Sequence, residues 1–369
     1  MLKNRNTKEG FFFNMKPKYQ LIADQLRNDI LNGVYLKGEA IPTEKELQEH
    51  YNVSRQTIRQ AIALLNEDDF LERRRGSGTY IKKNFAIDNN NMQVSVITTS
   101  ISDSIFPSVV QGIESVLSSE NYTMNLSSTY NRLDKERTLL ERILQSPVSG
   151  LIVEGSKTAL PNPNIDLYEK LIKKNIPVVF INGSYPQLSG YTSIITDDLT
   201  GGKLATQVLI DKGLKRIAGI FQSDDIRGHL RYRGYIEAMN EANLPTSDSL
   251  VFWFSNDSSK DEINTNTLLE NIIGKADGLI CYNDEMALNI LNMANELNLD
   301  LPKELSLISF NNVTATKFCQ PKLTTLSHPK TAFGQAAART LLRMMKGKKV
   351  EDTVFPWKLI ERDSIIVQN

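Results

Sequence analysis

Hydrophobic positions in the first eighty residues recur at helical spacing, whereas those after residue 93 come in short continuous runs. Ile22, Ala23, Leu26 and Ile30 mark one face of a helix from about residue 19 to 31, closed by Asn32-Gly33, a pair suited to a left-handed cap. Thr43 followed three residues later by Glu46 is a capping box, which predicts a helix starting at Glu44 with Leu47 and Tyr51 on its inner side. Asn52-Val53 makes a turn, and the Ser54 hydroxyl can accept the orphan N–H groups of a third helix. In that helix Ile58, Ala61, Ile62 and Leu65 fall at i, i+3, i+4 and i+7, a buried stripe. Phe70 to Arg73 and Thr79 to Ile81 then alternate as two short strands around the turn Arg74-Arg75-Gly76-Ser77-Gly78. Three helices followed by a hairpin predict a winged helix-turn-helix over residues 15–82, with residues 1–14 as an aperiodic, disordered extension.

A polar linker, residues 83–93, separates this unit from a second one over residues 94–369. Its apolar runs are Val94 to Ile97, Gly150 to Val153, Pro177 to Ile181, Ile217 to Phe221, Gly278 to Tyr282 and Leu305 to Phe310. Each is short and rich in Val and Ile, and helix-like segments alternate with them, so the pattern predicts βα units and parallel sheets. The residues that follow the runs are polar: Thr98-Thr99-Ser100, Glu154, Asn182-Gly183, Gln222-Ser223-Asp224, Asn283-Asp284 and Asn311-Asn312. Open α/β sheets bind ligands beyond the carboxyl ends of their strands. Amides, hydroxyls and carboxylates converging there suit a small polyhydroxylated molecule, with Phe106, Trp253 or Tyr282 available to cover its apolar face.

Charge and composition narrow the choice. The 369 residues carry 43 basic and 43 acidic side chains, so a nucleic-acid contact has to come from a local patch. The outer face of the third helix supplies one, with Arg55, Gln56, Thr57 and Arg59 beside its N-terminus. Cys281 and Cys319 make neither a zinc pattern nor a disulfide framework. No apolar stretch is long enough to span a bilayer, and the opening segment is too short in its apolar core for a signal sequence. A cytoplasmic chain without a membrane partner is expected. No nucleophile-elbow, phosphate-loop or metal-spaced His/Cys motif is present, and three histidines leave little for acid–base work. The pattern therefore predicts no enzyme, no metal and no cofactor.

The segments IPTEKEL, VSRQTIRQAI and GSGTYI resemble the hallmark blocks of the DNA-binding domain of the GntR family of bacterial transcription factors. By position, the resemblance implies operator contacts from Ser54, Arg55, Gln56, Thr57 and Arg59, from Lys45 on the preceding helix, and from Arg75 and Gly76 at the wing tip. SGLIVEG, IPVVFING, RYRGYIEAM, CYNDEMAL, LSLISFNN and LTTLSHP resemble the LacI/GalR-type effector domain, a periplasmic-binding-protein-like fold. That implies two α/β sub-lobes joined by three crossovers with a sugar between them. Its ligand-facing positions would be Asn182, Arg231, Asn283, Asn311 and His328, with Phe106 and Glu154 on the near lobe; His328 equally suits a hinge. Asn311-Asn312 stands where that family usually has two aspartates. The joined architecture is similar to the bacterial repressors of arabinose metabolism. The resemblance implies a homodimer on double-stranded operator DNA, released by a sugar effector, L-arabinose. Two other readings share parts of this pattern: a GntR-type reader fused to an aminotransferase-like enzyme, and a sugar-binding transport receptor.

Overall fold

The computed structural model describes residues 17–31, 34–35, 38–68, 70–74, 77–82, 92–101, 105–146, 148–188, 190–255 and 270–366. Residues 1–14, Arg75, Gly76 and most of the expected linker lie outside these. The chain divides into two compact units, residues 1–90 and 91–369.

In the first unit α1 (Lys18–Leu31), α2 (Glu44–Tyr51) and α3 (Arg55–Glu67) pack with the antiparallel hairpin β1 (Leu71–Arg74) and β2 (Gly78–Ile81). The capping box at α2 forms in both directions. Thr43 N–H donates to Glu46 Oε2 at 2.7 Å, and Glu46 N–H to Thr43 Oγ1 at 3.3 Å. Asn52, at φ 50°, ends α2 in the left-handed region, and Ser54 caps α3 by accepting from Thr57 N–H at 3.3 Å. Leu26, Leu47, Ile58, Ala61, Leu65 and Phe70 are buried in one core, the larger ones each stabilising the unit by roughly 1.5–3 kcal/mol. Ile62, expected in the same stripe, lies at its margin and is half-buried.

The second unit holds two six-stranded sheets. The near sheet contains β3 (Gln93–Thr98), β4 (Thr123–Ser128), β5 (Gly150–Val153), β6 (Val178–Ile181), β7 (Thr192–Thr196) and β13 (Thr353–Phe355), in spatial order β13-β7-β6-β5-β3-β4. The far sheet contains β8 (Ile217–Gln222), β9 (Val251–Phe254), β10 (Gly278–Cys281), β11 (Ser306–Phe310), β12 (Thr324–Ser327) and β14 (Lys358–Ile360), in order β14-β12-β11-β10-β8-β9. Every pairing is parallel except β12 with β14. Half of these strands were not expected. β12 and β7 are buried but built largely from Thr and Ser, and β4 is a half-exposed edge, so none presents an apolar run.

The chain crosses between lobes after β7, after β12 and between β13 and β14. After β12 it re-enters the near lobe as helix Lys330–Met345, which lies against α4 (Phe106–Ser119). Two glycines allow that close approach. A Cβ on Gly112 would sit 2.1 Å from the Thr331 carbonyl oxygen, and one on Gly334 2.1 Å from that of Val109. No helix among the described residues is long and apolar enough to cross a membrane.

Candidate DNA-reading helix and effector cavity

On α3 the side chains of Arg55, Gln56 and Arg59 are exposed, while Ile58 and Ala61 one step round the helix are buried. Glu44, at the start of α2, reaches both arginines: its Oε2 accepts from Arg55 Nε at 2.9 Å and its Oε1 lies 3.5 Å from Arg59 Nε. Such exposed pairs add little stability, but they link both arginines of α3 to the start of α2. Thr57 is half-buried and its Oγ1 lies 2.9 Å from Ser54 Oγ, so both hydroxyls are already engaged in capping. Lys45 is exposed on α2. At the wing Arg74 stacks on Tyr80, its guanidinium carbon 4.5 Å from the ring centre.

Between the lobes of the second unit lies a cavity of about 700 Å³ at the carboxyl ends of the strands. Glu154, Asn182, Arg231, Asn283 and Asn311 all line it. Glu154, at the end of β5, accepts from Thr98 Oγ1, Thr99 N–H and Thr99 Oγ1 at 2.8–3.0 Å and from Asn182 Nδ2 at 2.7 Å. Asn283 caps helix Asp284–Glu296, its Oδ1 accepting from Met286 N–H at 2.9 Å. Asn131, Lys157, Asn182 and Asn311 line the cavity in left-handed backbone, at φ 56°, 50°, 63° and 107°. The asparagines are thus both turn residues and cavity-lining amides, since Asn tolerates this region better than most side chains.

Arg231, on helix Ile226–Glu241, is 2 % exposed and is not a free donor. Its Nε donates to Asp198 Oδ1 at 2.8 Å, its Nη1 to the Tyr282 carbonyl, and its guanidinium lies against Tyr282, Phe310 and Trp357. Asp198 opens helix Asp198–Asp211 at the first crossover, so this pair sits at a hinge. His328, at the second crossover, does not line the cavity. It packs edge-on against Phe333 and Trp357, and burial lowers its pKa from 6.5 to about 3, Lys330, Arg231 and Arg227 acting in the same direction. Phe106 is also not in the cavity wall: it begins α4 pointing into the near-lobe core, and Ile105 lines the cavity instead. Tyr282 and Phe254 supply the aromatic wall, while Trp253 lies on an edge strand outside it.

The structure adds residues that the strand-end pattern did not single out. In the turn before helix Ile226–Glu241, Asp225 pairs with Arg227 (Oδ2 to Nη2 2.6 Å and to Nε 2.9 Å) and accepts from Tyr282 O–H at 2.7 Å. Burial works against the Asp225 carboxylate, but the Arg227 charge and these hydrogen bonds outweigh it and hold its pKa below the ordinary value. The same turn meets the near lobe. Asn131 Nδ2 donates to Asp224 Oδ2 at 2.9 Å, Thr158 Oγ1 to Asp225 Oδ1 at 3.3 Å, and Arg227 Nη2 lies 3.6 Å from Glu154 Oε1. These bonds close the cleft on the side of β4 and β9, away from the crossovers. Buried Glu136, outside the cavity wall, accepts from Ser156 N–H, Asn162 Nδ2 and Tyr185 O–H at 2.7–2.8 Å. The run Ser223-Asp224-Asp225-Ile226-Arg227 after an apolar strand was the signal available in sequence for the first group; nothing local marks Glu136.

Residues 18–81 match the pattern of the bacterial regulatory proteins of the gntR family, and residues 206–365 that of the periplasmic binding protein-like domain. The arabinose metabolism transcriptional repressor of Halalkalibacterium halodurans is 33% identical over 342 residues, covering 91% of each chain. That of Geobacillus stearothermophilus is 34% identical over 357 residues, covering 94% of this chain and 97% of its own. Among solved structures, the transcription regulator CcpA of Lactococcus lactis superimposes with a TM-score of 0.66 at 27% identity, over 74% of this chain and 99% of its own. A GntR reader, a binding-protein-like second unit and relatedness along nearly the whole length agree: the chain belongs to the family of the arabinose metabolism transcriptional repressors.

Proposed function

We propose that the chain represses transcription as a homodimer on double-stranded operator DNA and is released when a neutral sugar, L-arabinose, occupies the cavity between its lobes. The observation that carries the effector half is the cavity itself, whose wall holds Asn182, Asn283 and Asn311 beside the carboxylate-paired Arg227 and Arg231. Its charges are more numerous than Glu154 and Asp224 at the strand ends, with Lys157, Asp225, Arg227, Arg231 and Glu285 also in the wall. Asp225 faces Arg227 and Asp198 faces Arg231, so these two cations are already compensated. A phosphate or sugar acid would compete with those carboxylates, whereas neutral hydroxyls can bond to both carboxylate acceptors and amide donors.

Lys45, Ser54, Arg55, Gln56, Thr57, Arg59, Arg75 and Gly76 are proposed as the DNA-contacting set, with Arg55, Gln56 and Arg59 best exposed to read base edges. In a dimer two such helices meet half-sites at a spacing set by the protein. Release requires the sugar to bind the low-affinity arrangement more tightly than the repressing one; equal affinity would shift nothing. Operator retardation by the full chain tests this, with and without L-arabinose, alongside calorimetric titration of free and phosphorylated sugars. L-arabinose should bind and release operator, and sugar phosphates should bind at least about tenfold more weakly, roughly 1.4 kcal/mol. Tightest binding by a phosphorylated sugar would refute the charge argument. A larger free sugar is the second reading, favoured by the cavity's size of about 700 Å³. Even at the ~30 Å³ that a water molecule occupies in the liquid, the ten heavy atoms of a pentose fill only about 300 Å³. A tighter titration by a disaccharide would establish that reading.

A further inference from the structure

Asn311 has the most unusual backbone among the non-glycine residues at the cavity. Its φ of 107° lies well beyond the left-handed helical region that Asn commonly visits, and Asn312 follows at φ 51°. A conformation of this kind persists only where surrounding contacts over-determine it, and it is found preferentially at functional sites.

Here the contacts can be named. Asn311 N–H donates to the Leu326 carbonyl at 2.7 Å, tying the turn to β12. Asp284, fully buried at the start of helix Asp284–Glu296, accepts from Val313 N–H at 2.7 Å on one carboxylate oxygen. The other accepts from Ser309 Oγ and from Thr325 Oγ1, the latter at 2.7 Å. From the opposite side Arg362, just after β14, donates from Nη2 to Asn312 Oδ1 and from Nη1 to the Leu323 carbonyl, both at 2.6 Å. Its Nη1 also reaches Thr316 Oγ1 at 3.0 Å. The turn is therefore clamped between a buried carboxylate and a guanidinium, and among these residues only Asn311 lines the cavity.

We infer that Asp284 and Arg362 are positioning residues for the effector, holding Asn311 in strained backbone so that it forms part of the sugar-facing wall. The inference rests on the reading of the cavity as a sugar site. Neither residue touches the ligand; each acts through Asn311. Asp284 also follows Asn283, so one carboxylate steadies two of the far-lobe amides at the cavity.

The test uses the full chain, titrated with L-arabinose and melted without it, in wild type and in Arg362→Met, Asn311→Gly and the double variant. Arg362→Met is preferred to a change at Asp284 because Arg362 is only part-buried and its loss leaves no buried charge behind. Arg362→Met should weaken sugar binding about tenfold, and Asn311→Gly at least as much; in the double variant the Arg362 change should add less than about twofold. Operator affinity without sugar should be the same in wild type and Arg362→Met. Asn311→Gly should melt no lower than wild type, because glycine adopts φ 107° freely and the relieved strain offsets its greater unfolded-state freedom. Unchanged sugar affinity in Arg362→Met, or effects that multiply in full in the double variant, would overturn the inference. An Asn311→Gly chain that melts several degrees lower would show that no strain is stored there. If the wild-type chain binds no sugar, the effector reading fails in that arm, while the melting comparison still reads the strain.

Discussion

The hinge histidine makes a quantitative prediction. His328 is 6 % exposed, packed against Phe333 and Trp357, and its pKa falls from 6.5 to about 3 through burial, with the Lys330, Arg231 and Arg227 charges acting in the same direction. The folded state thus binds fewer protons at this site than the unfolded chain. The associated stability is fully present above pH 6.5 and is lost as pH falls toward 3. At about pH 5 the unfolded histidine has gained a proton across roughly 1.5 pH units, which at ~1.4 kcal/mol per unit costs about 2 kcal/mol. Urea unfolding of wild type and His328→Gln, followed by tryptophan fluorescence at about pH 7.5 and about pH 5, measures it. Wild type should lose about 2 kcal/mol more than the variant over that interval. Parallel losses in the two proteins would show that His328 is not held neutral at the hinge, and the buried packing around the second crossover would have to be reconsidered.

Two further substitutions separate the halves of the molecule. Arg55→Ala should weaken operator binding by about 1–3 kcal/mol and leave L-arabinose affinity unchanged; normal retardation in both Arg55→Ala and Arg59→Ala would remove these residues from the reading set. Arg231→Ala strands the buried Asp198 carboxylate, so it should destabilise the chain by about 3–5 kcal/mol rather than simply abolish sugar response. A variant that melts like wild type would contradict the buried pairing.

What could be read along the chain was what is encoded locally. The capping box at Thr43 and Glu46, the Ser54 cap and the Ile58-Ala61-Leu65 stripe each depend on residues within a few positions of one another. They mark the reading helix within its own stretch of sequence. The apolar strands of the second unit and the polar residues at their ends were equally legible, because parallel strands buried on both faces need continuous apolar runs. Strands such as β12 were not, since Thr and Ser can be buried when their hydroxyls find partners, as Thr325 does on Asp284 and Thr324 on Arg362 N–H. The same limit governs the site. Strand-end position alone placed Glu154, Asn182, Asn283 and Asn311 at the cavity, but could not show that Phe106 turns into the core or that His328 packs at a crossover. Nor could it show that Arg231 is neutralised by Asp198, thirty-three positions away, or that Asp225 gathers Arg227, Tyr282 and Thr158 at once. Those outcomes depend on which distant segments the sheet order brings together, and a buried charge takes its chemistry from whatever partner the fold places within hydrogen-bonding distance.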